Sequence, residues 1–480
     1  MHVLVLGRYD PHTHTHTHTH TVPHPSPQTL MPVDSIRALF PALSREIDGH
    51  PVAHFDGPGG TQVPEDVLAA VRAQMVERNG NAGWNVPTAQ ATDAMMADAR
   101  STFATLFNAR DPDEIVFGAN MTTLALRLAH ALGRRVGRGD EIVVTELDHH
   151  ANVDSWRMLE HDRGAVVRVA RFDPETGDLD MDDLESKLSS RTRLLAIGAA
   201  SNALGTIIDV TRATRAAHDA GALVFVDAVH YAPHELVDVQ ALGADMLAAS
   251  AYKFYGPHVG AVYLRADLLE ELDVPRVVSA PAVGPGRIET GTLNFEGIAG
   301  AAAAVRFIAR HGGASATGRP APGRPPREDG EALRARLAAA YAAGRERGAS
   351  LLRRMWHGLD GVPGVRLYGP PPGGPRTPTV AFTIEGVHPR DAAGRLGARG
   401  VLVSHGDFYA ASVVDRLRLR EAGGLIRAGC AIYTTESEVD RLVDGVAELA
   451  SSGSAIVPAA ATPSIRSSVS TGFRRPQPPR

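Results

Sequence analysis

Short apolar runs of strand length recur between helical stretches through the middle of this chain. That alternation restricts its fold more than any other feature. Residues 141–145, 165–169, 193–198 and 223–227 are compact and mostly apolar, and helical stretches such as 211–220 lie between several of them. Near-continuous apolar character marks strands covered on both faces, because a sheet with one wet face alternates apolar with polar. Ile115-Val-Phe117 precedes the series, and residues 246–249 and 260–264 extend it. The expected fold is therefore α/β, with a mainly parallel, doubly covered sheet.

Around that series the chain divides. Residues 64–78 read as a helix opening beside a proline, 88–107 as a longer one, and 124–132 as a third, after the turn Gly118-Ala-Asn-Met-Thr-Thr123. The Ala-rich run over 297–308 is too short to cross a membrane and reads as a packed helix. A long helix over about 330–359, strands at 365–368, 379–384 and 425–433, and helices at 389–399 and 435–450 point to a smaller α+β domain. The expected divisions are a disordered His/Thr/Pro-rich leader over 1–30, an N-terminal segment 31–50 and a large domain 51–310. A Gly/Pro-rich connection 311–329, a small domain 330–450 and a disordered tail 451–480 follow. His alternates with Thr from His12 to His20, a low-complexity tract that either binds metal weakly or has no structure, and Met31 is itself a sensible start.

Composition narrows the function classes. A net charge of −5 gives no field that points to nucleic acid or an anionic membrane. No apolar span is long enough for a transmembrane helix, and the N-terminus lacks the apolar core of a signal peptide, so a cytoplasmic location is expected. The single cysteine, Cys430, excludes an intrachain disulfide framework and a multi-Cys metal site.

Only two lysines, Lys187 and Lys253, occur among 49 Lys and Arg residues. Lys253 stands in Ser250-Ala-Tyr-Lys-Phe-Tyr-Gly-Pro257, directly after an apolar run. A surface cation can be either residue type, whereas only an amine makes a Schiff base. Asp227 ends the run 223–227, and Lys253 follows 26 residues later. Together they suit pyridoxal phosphate (PLP). The lysine holds the aldehyde as an imine, and the carboxylate keeps the ring nitrogen protonated so that the ring serves as an electron sink. Their opposed charges favour ionised Asp227. The 118–123 turn offers backbone N–H groups and Thr hydroxyls to a phosphate, although Thr at a helix start is also a common cap. No nearby carboxylate or Cys completes a convincing zinc set with His149 and His150, so no metal is expected and an imidazole stacked on the cofactor is more economical.

From about Asp34 to Leu449 the chain resembles the class V aminotransferases of the cysteine desulfurase and selenocysteine lyase type, with PLP fold type I. Six pieces in family order carry the resemblance. They are Glu146-Leu-Asp-His-His-Ala-Asn152, Ser201-Asn-Ala-Leu-Gly-Thr206, Val226-Asp-Ala-Val-His230, Ser250-Ala-Tyr-Lys-Phe-Tyr-Gly-Pro257, Glu289-Thr-Gly-Thr-Leu-Asn294 and Arg427-Ala-Gly-Cys-Ala-Ile-Tyr-Thr-Thr-Glu436. The resemblance implies that Lys253 holds PLP and shuttles protons at the substrate α-carbon. It implies that Asp227 pairs with the ring nitrogen, that His149 stacks on the ring, and that Asn202 and His230 lie near the ring hydroxyl. His230 stands where the desulfurases usually carry Gln. Met121 (through its backbone), Thr122 and Ser250 are implied phosphate ligands, and Tyr252 replaces the usual His there. Gly291 and Thr292 are implied to reach the phosphate of a neighbouring subunit, making a homodimer with composite sites. Arg427 is implied to clamp the substrate carboxylate with its bidentate fork. An arginine placed only for structure before a buried strand is the competing reading.

The pattern breaks at one loop. The family's desulfurases take sulfur onto a loop cysteine as a persulfide, but Val401-Leu-Val-Ser-His-Gly-Asp-Phe-Tyr409 contains none. Phe408-Tyr409 occupies that neighbourhood, and Ser404 stands about where a second family arginine would be. Cys430 falls within the strand pattern three residues after Arg427, and it is expected to be buried and inert. The expected function is a PLP-dependent enzyme acting on an α-amino acid, cleaving a carbon–sulfur bond without a loop-cysteine persulfide. An aminotransferase or epimerase on the same scaffold is the alternative. A catalytically silent PLP-fold binding protein is a third reading, disfavoured by the Lys253–Asp227 pair. His405, Asp407, Tyr409 and Trp84 are candidate substrate-facing groups.

Overall fold

The computed structural model describes residues 31–311, 329–452 and 465–466. The leader expected over 1–30, nearly all of the connection and most of the tail lie outside those residues. Seven strands form the large sheet: β1 (Ile115–Gly118), β2 (Glu141–Thr145), β3 (Val166–Ala170), β4 (Thr192–Gly198), β5 (Leu223–Asp227), β6 (Met246–Ser250) and β7 (Gly260–Leu264). Their spatial order is β1-β7-β6-β5-β4-β2-β3. Strands β2 to β6 pair in parallel, whereas β7 runs antiparallel to both of its neighbours. Alternate residues feed opposite cores. On β5, Val224 and Val226 join one apolar cluster and Phe225 the other. On β6, Leu247 and Ala249 oppose Met246 and Ala248 in the same way. Both faces are dry, which is why these strands read as continuous apolar runs.

The principal helices are α1 (Glu65–Glu77), α2 (Pro87–Phe107), α3 (Met121–Leu132), α4 (Val210–Asp219), α5 (Phe295–His311), α6 (Gly330–Asp360), α7 (Pro389–Gly397) and α8 (Glu436–Ser451). Helix α3 starts three residues before the sequence expectation because Asn120 caps it. The Asn120 side-chain oxygen accepts the Thr123 N–H at 2.9 Å, and a cap of this kind contributes about 1 kcal/mol. Strand β7 begins against the same turn. A Cβ on Gly260 would lie 2.5 Å from the Asn120 carbonyl carbon, so only glycine allows this approach of two backbones.

Strands β8 (Val365–Tyr368), β9 (Thr379–Ile384), β10 (Ser404–Gly406) and β11 (Leu425–Gly429) make a second, antiparallel sheet in the order β8-β9-β11-β10. β11 stops at Gly429 rather than residue 433. Beyond it the chain turns, with the Ala431 N–H donating to Thr434 Oγ1 at 2.9 Å. The sheet, the second half of α6, α7 and α8 enclose a third core containing Phe382, Ile426, Met355 and Leu442.

Three boundaries differ from those drawn on the sequence. Ala53–His54 pairs in parallel with Val401–Leu402, and Ala53 and Phe55 sit in the small core, although the sequence reading starts the large domain at residue 51. Helix α6 serves both cores: Leu333, Leu337 and Tyr341 pack into the large one, and Leu351, Met355 and Leu359 into the small one. Its 31 residues span about 46 Å at 1.5 Å per residue. In the tail, Ile465–Arg466 pairs antiparallel with Glu46–Ile47, so those two residues depart from the disorder expected there. Among the described residues, no helix is long and apolar enough to cross a membrane.

Candidate active site

Parallel strands end on one side of a sheet, and in α/β folds the crevice beyond those ends receives ligands. Asp227 is the last residue of β5 and Ser250 the last of β6; a single turn, Ala251–Lys253, then presents the lysine. The first turn of α3 arrives beside them, where the Met121 N–H donates to Ser250 Oγ at 3.2 Å. Thr122 follows, exposed at the helix start. Free N–H groups of a helix N-terminus flanked by hydroxyls form a seat for an anion.

Lys253 Nζ donates to the Pro58 carbonyl and lies 5.0 Å from the centroid of the Tyr252 ring. Burial and the neighbouring Arg427 cation bring its amine down to about 7, against the opposing pull of Asp227. Asp227 is itself buried, and its Oδ1 accepts the Val229 N–H at 2.9 Å. Burial pushes its carboxyl up to about 6 even though the Val229 hydrogen bond and Lys253 pull it down. Lys253 thus favours the ionised form as expected, but desolvation outweighs its charge and leaves the carboxyl above the usual aspartate range.

A second acid stands nearby. Asp148 accepts hydrogen bonds from Thr145 Oγ1 at 2.7 Å and Asn152 Nδ2 at 3.1 Å. Burial pushes it up to about 7, and the charge of Asp227 adds to that rise. Gly198, the cross-strand partner of Asp227, makes room for it: a Cβ there would lie 2.6 Å from Asp148 Oδ1. The sequence shows Asp148 only as one letter of a motif. Its neighbour His149 accepts the Ala151 N–H at Nδ1, 3.0 Å away. Burial first, then Lys253, His150 and Arg427, hold His149 down to about 4, so it is neutral at ordinary pH. His150 turns elsewhere, to Asp154 at 3.0 Å and Ser412 at 3.1 Å.

Asn202 and His230 complete the inner wall. The His230 ring is buried, with Nε2 at 3.1 Å from Thr377 Oγ1 and 3.2 Å from Thr379 Oγ1. Burial, followed by His234, Arg427 and Lys253, holds it far below the ordinary histidine range. Arg427 lies buried on β11. Its Nη1 donates to the Asn202 carbonyl at 2.7 Å, and its Nη2 to Ser404 Oγ, on the paired strand, at 3.4 Å. Its Nε is buried with no hydrogen-bond partner, as is Oδ1 of Asn202. Burial lowers the guanidinium to about 9, opposed by Asp56. An unpaired Nε beside a loosely held Nη2 leaves free the edge that a carboxylate bridges.

The loop after β10 folds over this wall. The Arg427 guanidinium lies 4.1 Å from the centroid of the Phe408 ring, and Asn202 Nδ2 donates to the Phe408 carbonyl at 2.9 Å. The Tyr409 ring sits 5.4 Å from His149, and its carbonyl accepts the His150 N–H at 2.7 Å. Phe408 and Tyr409 both hold left-handed backbone, at φ 56° and 58°, a conformation that costs about 1–2 kcal/mol for each such residue. Asp407 steadies the turn by accepting the Tyr409 N–H at 3.0 Å, while His405 is exposed.

The sequence reading overlooks Asp56-Gly-Pro-Gly-Gly60, which runs between the lysine and the arginine. Pro58 meets Lys253, and a Cβ on Gly59 would lie 3.8 Å from both Arg427 Nη2 and Ser404 Oγ. Its Gly/Pro punctuation was the available signal. Tyr252 stacks on His258 at 4.9 Å. Gly291 and Thr292 are not brought to Lys253 within the chain; both are exposed on a separate cavity of about 1270 Å³ that Trp84, Arg100 and Glu289 also line. Cys430 is buried, and burial pushes its thiol up to about 12.

This arrangement has close counterparts among known proteins. The family model for aminotransferase class-V matches residues 53–319 and 330–442. The chain belongs to the class-V aminotransferase family. Within the class-V aminotransferases it is cysteine desulfurase-like. It is 33% identical over 433 residues to a protein named cysteine desulfurase from Enterobacter sp. (strain 638), covering 86% of this chain and 97% of that one. Among solved structures, the apo cysteine desulfurase of Thermococcus onnurineus NA1 superposes with a TM-score of 0.76 at 26% identity, over 88% of this chain and all of that one. A cysteine desulfurase of Escherichia coli, in an S-sulfonic acid form, gives 0.73 at 28% identity, over 88% and 99%. The large mainly parallel sheet is the α/β architecture of PLP fold type I that these class-V relatives share.

Proposed function

We propose that this protein is a PLP-dependent enzyme that cleaves the carbon–sulfur bond of an α-amino acid without transferring the sulfur to a cysteine of its own. One observation carries the reading. The loop that faces Arg427 and His149 presents Phe408 and Tyr409, whereas the chain's single cysteine is buried with its thiol at about 12. A thiol that stays protonated and enclosed is a poor sulfur acceptor.

The residues present fit PLP. Lys253 would hold the aldehyde, Asp227 the ring nitrogen, and the Met121 N–H, Thr122 and Ser250 the phosphate, while the unpartnered Oδ1 of Asn202 and the ring of His230 line the pocket beside them. His149 would stack on the ring, and Tyr252, under the lysine ammonium, would flank it. When bound, PLP supplies an electron sink for negative charge at the substrate α-carbon. Lys253, with its amine near 7, is able both to take and to return a proton at that carbon. Arg427 offers its Nε–Nη2 edge to the substrate carboxylate. Loss of the α-proton and departure of sulfur with its bonding electron pair release a thiol or sulfide. The enamine left behind hydrolyses to a keto acid and ammonia.

The decisive measurement is a product balance with cysteine and cysteine S-conjugates in the presence of PLP. Keto acid and ammonia formed mole for mole with thiol or sulfide are expected. Alanine accompanying released sulfide would overturn elimination in favour of desulfuration. Keto acid formed only with an added amino acceptor would replace it with amino transfer.

The same reading includes a homodimer in which Gly291 and Thr292 reach the other subunit's phosphate. Its support is the exposed apolar set Met75, Val76, Trp84, Val277, Val278 and Val283, of which Trp84 and Val277 line the cavity that holds Gly291 and Thr292. Sedimentation equilibrium giving only the monomer mass at micromolar protein would refute this part.

A further inference from the structure

A second cavity, of about 560 Å³, lies away from the lysine, between the middle of α6, the 231–235 turn, residues 372–378 and the turn after β11. Its size falls within the range of small-molecule pockets. Its walls are mostly apolar, with Tyr231, Leu351, Leu352 and Pro378 among them. Its cationic groups outnumber its acids. Arg345, Arg347, Arg353 and Arg376 all line it, against Glu235 alone, which Arg345 already pairs at 2.9 Å.

Arg376 is the group that the protein leaves unfinished. Its face lies 4.8 Å from the centroid of the Trp356 ring, and its Nη2 donates to the carbonyls of Leu204 and Thr379. Its Nε and Nη1 are buried without a hydrogen-bond partner. A buried unpaired donor is costly, more so when charged, so a guanidinium left this way favours an acceptor brought from outside. Burial lowers Arg376 to about 10, which still leaves it a cation at neutral pH.

Helix α6 supplies an independent observation. Gly344 and Gly348, one turn apart, both line the cavity. A Cβ on Gly344 would meet nothing within 4 Å. Glycine inside a helix is destabilising relative to alanine, and here these glycines leave space that side chains would fill.

We infer that this cavity is a binding site for an organic anion, a carboxylate or phosphate monoester carrying an apolar body, whose charged end accepts from the unpartnered Nη1 of Arg376. The ring of Trp356 provides a local reporter, because the chain has only three tryptophans and this one stacks on the arginine.

The test uses the full chain loaded with PLP and then freed of unbound cofactor, and follows tryptophan emission during titration. The probes are benzoate, phenyl phosphate, inorganic phosphate and benzyl alcohol. Benzoate or phenyl phosphate should give a saturable change that Trp356→Phe removes, and the stronger of the two identifies the head group. Arg376→Leu should weaken binding at least tenfold. Gly344→Leu, whose Cβ meets nothing within 4 Å, should abolish binding while raising thermal stability, so a folding failure at Arg376 does not decide the matter. Equal binding of benzyl alcohol, equal binding of inorganic phosphate, no response to any probe, or a response lost in Arg427→Lys but kept in Arg376→Leu would each overturn the inference. The absorbance of bound PLP is recorded in the same cuvette, so failure of the cofactor reading is seen separately.

Discussion

Lys253 should capture PLP at a pH where an ordinary lysine is almost wholly protonated. With its amine near 7, about half of the protein molecules carry the neutral nucleophile at pH 7, against roughly one in 2,500 for an unperturbed lysine near 10.4. The advantage is therefore on the order of 10³-fold in reactive fraction. The sign follows from the causes: burial and Arg427 disfavour the ammonium, so capture rises with pH and levels off above about 7. Stopped-flow mixing of cofactor-free protein with PLP between pH 5.5 and 9.5 measures the midpoint. Reduction with borohydride and peptide mass spectrometry then place the adduct. Lys187, salt-bridged to Asp183, is the internal control and the chain's only other lysine. Arg427→Met removes a neighbouring positive charge and should move the midpoint upward; Asp227→Asn removes a negative one and should move it downward. A wild-type midpoint above pH 9, or a downward shift in Arg427→Met, would refute the electrostatic account.

Arg427→Lys keeps a positive charge but loses the free Nε edge; steady-state kinetics should show KM higher by about 10–100-fold, the worth of a charged hydrogen bond, with a smaller change in kcat. Phe408→Gly removes about 1–2 kcal/mol of left-handed strain and about 0.5–2 kcal/mol of cation–π attraction. Its urea midpoint should thus stay close to wild type, and a large drop would mean that the ring does more than cover the arginine. Gly429→Ala would place a Cβ 2.3 Å from Cγ of Pro58; it should cost about 1–3 kcal/mol in chemical denaturation, the usual range for overpacking, and unchanged stability would show that the Pro58 loop yields freely.

The parts of the molecule with a strong local signal were legible in the sequence. β2 and β5 match their predicted bounds because a strand dry on both faces leaves no ambiguity of pattern. Lys253 and Asp227 stood out because each is chemically specific at a strand end. What was hidden depends on the approach of distant segments. The pairing of Ala53 with Val401 and the Pro58 contact to Lys253 leave no periodicity in either partner. The start of α3 was missed by three residues because Asn120 was read as part of a turn rather than as a cap. The upward push on Asp227 could not be read from the sequence, which shows charges but not the degree of their burial.

The pairing of residues 53–54 with 401–402 has a mechanical consequence. Phe55 is anchored in the small core, and Pro58, three residues on, supplies the carbonyl that holds the lysine amine. Three residues span at most about 10 Å even when fully extended. The stretch 55–58 is therefore a short leash between the two halves of the molecule. A small-domain swing longer than its slack would draw the carbonyl off Lys253, so the position of that domain and the freedom of the amine are set together.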